Sequence, residues 1–155
     1  MTQLLQRILP TVQKPARYTG GEFNEIKKDL ADVRVRVAFC FPDTYEIGMS
    51  NLGVRILYDV LNRDEDVWCE RVYAPWEDMK AKMEEYDIPL SAVESGDPLS
   101  AFDMVAFSLQ YELCYSNVLN MLELEGEEGF NYIEEYTDSS TERGKKLRDN
   151  IPGLV

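Results

Sequence analysis

Residues 33–41, Val-Arg-Val-Arg-Val-Ala-Phe-Cys-Phe, begin with apolar and charged side chains in alternation and end as an unbroken apolar run. A period of two puts Val33, Val35 and Val37 on one face and Arg34 and Arg36 on the other. The segment therefore predicts a strand that starts half-exposed and finishes buried, as interior strands of parallel sheets do. After a Gly-bearing loop over residues 42–50 the spacing becomes helical, with Leu52, Ile56, Leu57, Val60 and Leu61 on one stripe. Ser50 or Asn51 is placed to cap this helix, and Asn62 with Arg63-Asp-Glu-Asp66 ends it. A second unit follows: a strand over residues 67–74, then Pro75 and a helix over residues 76–86 with Met79 and Met83 facing inward. A short apolar run at residues 88–93 leads through the turn Ser95-Gly-Asp-Pro98 to a third strand, Met104-Val-Ala-Phe107, with Asp103 at its start. Leu113, Val118, Leu119 and Leu122 give the next helix its stripe.

Three strand-helix units in series predict an α/β, Rossmann-like, three-layer domain on a parallel sheet, with Val35, Val37, Phe39, Val72, Val105 and Phe107 in its core. Open parallel sheets bind ligands just beyond the carboxyl ends of their strands. That edge comprises residues 42–50, Pro75 and Trp76, and Gln110 to Glu112. Residues 1–32 read as an N-terminal arm: the helical spacing of Leu4, Leu5, Ile8 and Leu9 is cut by Pro10 and Pro15, and Gly20-Gly21 permits positive φ and a tight turn. The arm is expected to pack across the sheet or its edge. From Glu123 the pattern changes. Glu125-Gly-Glu-Glu-Gly129 is acidic, Phe130-Asn-Tyr-Ile133 is the last strand-like piece, and residues 137–141 read as loop. The division is an arm (1–32), an α/β domain (33–124) and a divergent acidic C-terminal segment (125–155).

The charge of −13, from 16 Lys and Arg against 29 Asp and Glu in 155 residues, argues against a nucleic-acid partner. The basic cluster Arg143 to Arg148 is flanked by acids and reads as a solvated helix face or a tail. The apolar run at the N-terminus is too short for a membrane span and has no small-residue cleavage site, so no membrane partner and a cytoplasmic location are expected. Cys40, Cys69 and Cys114 are widely spaced and read as small buried hydrophobes. There is no histidine. Its absence removes Ser-His-Asp and Cys-His catalysis and imidazole metal sites.

The loops also lack Gly-x-Gly-x-x-Gly and the Walker pattern, so Gly48 and Gly53 are assigned to the turn and to helix-sheet packing. What remains after the first strand is Asp43-Thr-Tyr-Glu-Ile-Gly48. Its spacing is that of the Asp-x-His-x-x-Gly loop by which cobalamin domains offer a histidine to cobalt, with Tyr45 in the histidine's place. Phenol must lose a proton of pKa near about 10 to bind a metal well, so a histidine-type cobalt ligand is excluded.

Five blocks in order carry a broader resemblance: Lys14-Pro-Ala-Arg-Tyr-Thr-Gly-Gly-Glu-Phe-Asn24, Phe41-Pro-Asp-Thr-Tyr-Glu-Ile-Gly-Met-Ser-Asn-Leu-Gly53, Ile56-Leu-Tyr-Asp-Val-Leu-Asn62, Asp66-Val-Trp-Cys-Glu-Arg-Val-Tyr-Ala-Pro-Trp76 and Leu109-Gln-Tyr-Glu-Leu-Cys-Tyr-Ser-Asn-Val-Leu-Asn-Met-Leu122. Over residues 13–124 the chain resembles the N-terminal, cobalamin-binding-type domain of a family of bacterial radical SAM proteins. The resemblance implies a cobalamin-domain-like sheet, of which this chain supplies an incomplete set of strands. It also implies a [4Fe-4S] cluster and S-adenosylmethionine on a separate barrel, whose Cys-x-x-x-Cys-x-x-Cys motif is missing here. Glu125-Gly-Glu-Glu128 resembles an acidic turn that such domains carry later. The function expected is that of a non-catalytic cofactor- or substrate-side domain. Its contacts would come from Asp43, Tyr45, Glu46, Gly48, Met49, Ser50, Pro75, Trp76, Gln110, Tyr111 and Glu112, its cofactor would be cobalamin or none, and its partner a radical SAM barrel or another protein. The alternative is a protein-interaction module without a cofactor.

Overall fold

The computed structural model describes residues 3–125. Phe130 to Ile133, the basic cluster and nearly all of the acidic segment lie outside them. Three parallel strands, β1 (Val35–Phe41), β2 (Val67–Tyr73) and β3 (Met104–Phe107), form a sheet in the order β2-β1-β3. The register runs Val35 to Val67 on one side of β1 and Val37 to Met104 on the other. The helices are α1 (Gln3–Ile8), α2 (Tyr45–Ser50), α3 (Leu52–Asn62), α4 (Glu77–Tyr86) and α5 (Cys114–Glu123). This is the expected open, parallel α/β arrangement.

Side-chain alternation divides the core into two layers. Val37, Phe39 and Phe41 with Cys69 and Tyr73 face α3, which inserts Val54 and Tyr58. Ala38, Cys40 and Val72 face the opposite way, toward Met79 and Met83 of α4 and Met121 of α5. Ile8 and Val12 of the arm join that second layer. All three cysteines are free and buried.

Several expectations need correction. The buried stripe of α3 is Val54, Tyr58 and Asn62 with Leu61 at its margin, while Leu52, Ile56, Leu57 and Val60 are exposed. Asn62 wins the inner position because its amide donates to the carbonyl oxygens of Tyr58 and Cys69 and its oxygen accepts from the Cys69 N–H, which ties α3 to β2. On α5, Cys114 and Met121 point inward, whereas Leu113 and Leu119 are exposed. Val105 and Phe107 are only half-buried, because among the described residues β3 pairs with β1 alone and lies at the sheet edge; Val35, at the start of β1, is half-buried too. Finally, residues 45–50 of the predicted loop form the short helix α2, and the cap of α3 is Asn51, whose side-chain oxygen accepts from the Val54 N–H at 3.1 Å.

Arg36, assigned to an exposed face by alternation, is buried. Its Nη2 donates to Glu70 at 2.6 Å and to Asp97 at 2.9 Å, and its guanidinium lies 4.4 Å from the Phe102 ring centre and 5.1 Å from that of Trp68. On the other face Arg71 pairs with Glu94 at 2.6 Å and stacks on Tyr58. These pairs belong to the device that closes the β2 edge. The Val93 N–H donates to the Arg71 carbonyl, the Arg71 N–H to Glu94, and the Ser95 N–H to Glu70. An open strand edge is thereby satisfied by a loop and two carboxylates.

Candidate functional site

The strand order reverses at β1. β2 lies on one side of it and β3 on the other, the strand order that in open parallel sheets places a ligand crevice between the carboxyl ends of the two strands, here β1 and β3. Asp43 sits at the end of β1; its Oδ1 accepts from the Thr44 N–H at 2.7 Å and its carbonyl accepts from the Ala74 N–H at 3.0 Å. Across the crevice, Gln110 donates to the Ser108 hydroxyl at 2.6 Å, and Asn117 of α5 donates to the Pro42 carbonyl at 2.9 Å. Tyr111 is half-exposed, and the neighbouring Cys114 and Asp43 push its phenol up. Glu112 is exposed beside it.

The other half of the carboxyl edge, at β1 and β2, is occupied by the arm. Tyr45 opens α2 and donates its hydroxyl to Glu22, while its ring meets Tyr73 edge-on at 5.6 Å. Burial, with Glu22 beside it, pushes the Tyr45 phenol up to about 12. Partial burial works against the Glu46 charge, but hydrogen bonds from Arg17 and Lys14 hold the carboxyl down at about 2. Trp76 lies under the Arg17 guanidinium, 5.3 Å from ring centre to Cζ, and its N–H donates to the Tyr18 hydroxyl.

Gly48 is a packing position: a Cβ there would stand 2.2 Å from the Tyr73 ring. At Gly53 the nearest atom, Asn51 Oδ1, is 3.2 Å away, so this glycine has no close sheet contact. Met49 accepts hydrogen bonds from Tyr73 and Arg71 through its sulfur. Ser50 is exposed and closes the last turn of α2 on the Ile47 carbonyl. The residues proposed from sequence thus separate into two groups. Tyr45, Glu46, Met49, Pro75 and Trp76 gather at β1 and β2, and Asp43, Gln110, Tyr111 and Glu112 at β1 and β3. Sequence reasoning missed Arg17, Glu22, Arg71 and Glu94; the adjacent charges Glu70-Arg71 inside an otherwise apolar strand were the available signal.

No group of three or more His, Cys, Asp or Glu placed to hold a metal ion occurs among the described residues. The three cysteines stand apart on β1, β2 and α5, and burial pushes the Cys40 thiol above its ordinary range and that of Cys69 up to about 12. A [4Fe-4S] cluster needs thiolates that converge on one point, and these do not fit it. Nor is any helix among the described residues long and apolar enough to cross a membrane.

The fold is an open, parallel α/β domain whose strand order reverses between β1 and β3. Residues 53–131, just over half of the chain, match the family described as radical SAM proteins, N-terminal, and the chain belongs to that family. The match starts within α3, leaves out the arm and Asp43 to Ser50, and runs past residue 124, the far end of the five resembling blocks' span. Neither the curated proteins nor the solved structures provide a match.

Proposed function

We propose that this chain is a non-catalytic domain of a radical SAM system that holds a substrate or cofactor for a cluster-bearing barrel. The family assignment supplies the system, and the carboxyl edge between β1 and β3 carries the reading. Asp43 and Tyr111 reach it from different loops, near enough that Cys114 and Asp43 both push the Tyr111 phenol up, and Gln110 and Glu112 flank Tyr111 in the chain. Tyr111 supplies a flat apolar face, and the two carboxylates favour a ligand with donors or positive charge. The test is titration of the full chain into the barrel-bearing protein with its substrate, reading 5′-deoxyadenosine and product together. The chain alone yields neither. Asp43→Asn and Tyr111→Ala are expected to lower product more than 5′-deoxyadenosine, and equal losses of both would reject a substrate-side role.

If the ligand is a corrinoid, it binds base-off and without a protein ligand. The chain has no histidine, and the Tyr45 hydroxyl is spent on Glu22 with its proton held. Electron paramagnetic resonance of added cob(II)alamin checks this, since nitrogen superhyperfine splitting that survives removal of the cofactor's own base contradicts it. A second reading, a protein-interaction module, is favoured by the exposed apolar flank Leu52, Ile56, Leu57 and Val60 of α3. Partner binding that survives Asp43→Asn but fails in Leu57→Lys selects it.

A further inference from the structure

We propose that residues 14–22 are a strap over a second binding cleft, at the carboxyl ends of β1 and β2, which takes a flat aromatic or heteroaromatic ligand of neutral or positive charge. The strap is anchored at both ends. Ile8 and Val12 are buried before it, and after it the Ile26 N–H donates to the Tyr58 hydroxyl while the Trp68 indole donates to the Ile26 carbonyl. Between these anchors no residue from 13 to 25 is buried. Among the described residues no backbone-to-backbone hydrogen bond joins the strap to the body. It is held by side chains: Lys14 and Arg17 on Glu46, Arg17 over Trp76, Glu22 under the Tyr45 hydroxyl, and Tyr18 against the Trp76 N–H.

Hinges stand at each end. Lys14 has φ 50°, and Gly20 and Gly21 have φ 63° and 80°. Segments with few buried contacts and side-chain anchors lie at the low end of local stability, and residues that absorb backbone rotation mark where they swing.

Beneath and beside the strap lie three cavities of about 50, 530 and 560 Å³. The smallest meets one neighbour at Arg17 and Tyr45, and the other at Leu5, Tyr18 and the body segment 88–93, so the strap's Arg17 and Tyr18 form part of each partition. Lifting it opens the smallest into a cleft walled by Tyr45, Tyr73 and Pro75 and floored by Met79 and Met83. Rings and thioethers of this kind suit a planar aromatic body. The release also frees Glu46 from its two cations, which sets the charge preference.

This inference rests on reading the carboxyl edge as the binding edge, but it is independent of the β1/β3 crevice. The test uses the full chain, the double variant Lys14→Ala/Arg17→Ala, and Gly20→Ala, in which a Cβ would stand 2.5 Å from the Val93 carbonyl oxygen of the body when the strap is closed. Chymotryptic cleavage after Tyr18 reports opening, because proteolysis follows the open population when closing is fast. Losing an exposed ion pair raises that population by up to about fivefold. The planar cation thioflavin T is the ligand probe. Faster cleavage in both variants, with tighter dye binding and unchanged amide protection in β1, is the expected result. Unchanged cleavage, or cleavage that rises only together with loss of β1 protection, overturns the strap. Opening without tighter dye binding overturns the cleft and leaves the β1/β3 reading standing.

Discussion

Replacing Arg36 by Met removes the cation from a site where the facing carboxylate cannot follow it into water. The Glu70 side chain is fully buried, and in the native protein it accepts from Arg36 Nη2 at 2.6 Å and from the Ser95 N–H at 3.0 Å. Met fills much of the space between Phe102 and Trp68, so the variant tests charge more than volume. Breaking a buried pair by deleting one partner costs about 3–5 kcal/mol, because it leaves an uncompensated charge. For a domain of this size that lowers Tm by about 6–20 °C. Urea denaturation followed by circular dichroism at pH 7 measures the loss. The double variant Arg36→Met/Glu70→Leu removes the stranded charge and should regain most of the loss. A deficit under about 1 kcal/mol at pH 7, the low end for single substitutions, or a double variant no better than the single one, refutes the argument.

Gly48→Ala would press a Cβ to 2.2 Å from the Tyr73 ring, which is itself fixed by Tyr45 and Met49; overpacking of this kind costs about 1–3 kcal/mol, measured as a lower urea midpoint. Anaerobic incubation of the full chain with iron and sulfide is expected to leave no stoichiometric cluster, because Cys40, Cys69 and Cys114 lie on separate elements; a cubane absorption band with matching iron and sulfide content would contradict this. The Glu46 carboxyl, faced by Lys14 and Arg17, is depressed from its ordinary 4.5 to about 2. Its contribution to strap closure is therefore complete above about pH 4.5 and fades as pH falls toward about 2. Acrylamide quenching of Trp76 should rise over that interval, and rise further with salt, which screens exposed pairs.

Much of the layer order was legible along the chain. Alternation that turns into an apolar run specifies β1 as a strand buried on both faces, and three strand-like runs separated by helical spacing leave few arrangements besides a parallel α/β sheet. Asn51 as a cap, positive φ at Gly20 and Gly21, and Asp103 at the start of β3 were readable because each is set by near neighbours: Asn51 reaches Val54 in its own helix, and the glycines answer only to their own backbone. Four decisions belonged to tertiary structure. Helix α3 carries apolar side chains around most of its circumference, so periodicity could not choose between Leu52-Ile56-Val60 and Val54-Tyr58; Asn62 chose, by bonding to the Cys69 backbone. Arg36 reads as a surface residue until Glu70 and Asp97 arrive from segments about 34 and 61 positions away and make its burial tolerable. The first-loop residues look like an open binding edge until the arm folds back and engages Tyr45, Glu46 and Trp76. Pairing Asp43 with Tyr111 likewise required the strand order β2-β1-β3. A local pattern reports the period of a chain and the chemistry of its neighbours, whereas the partner that neutralises a charge or covers a loop is selected by closure of the whole fold.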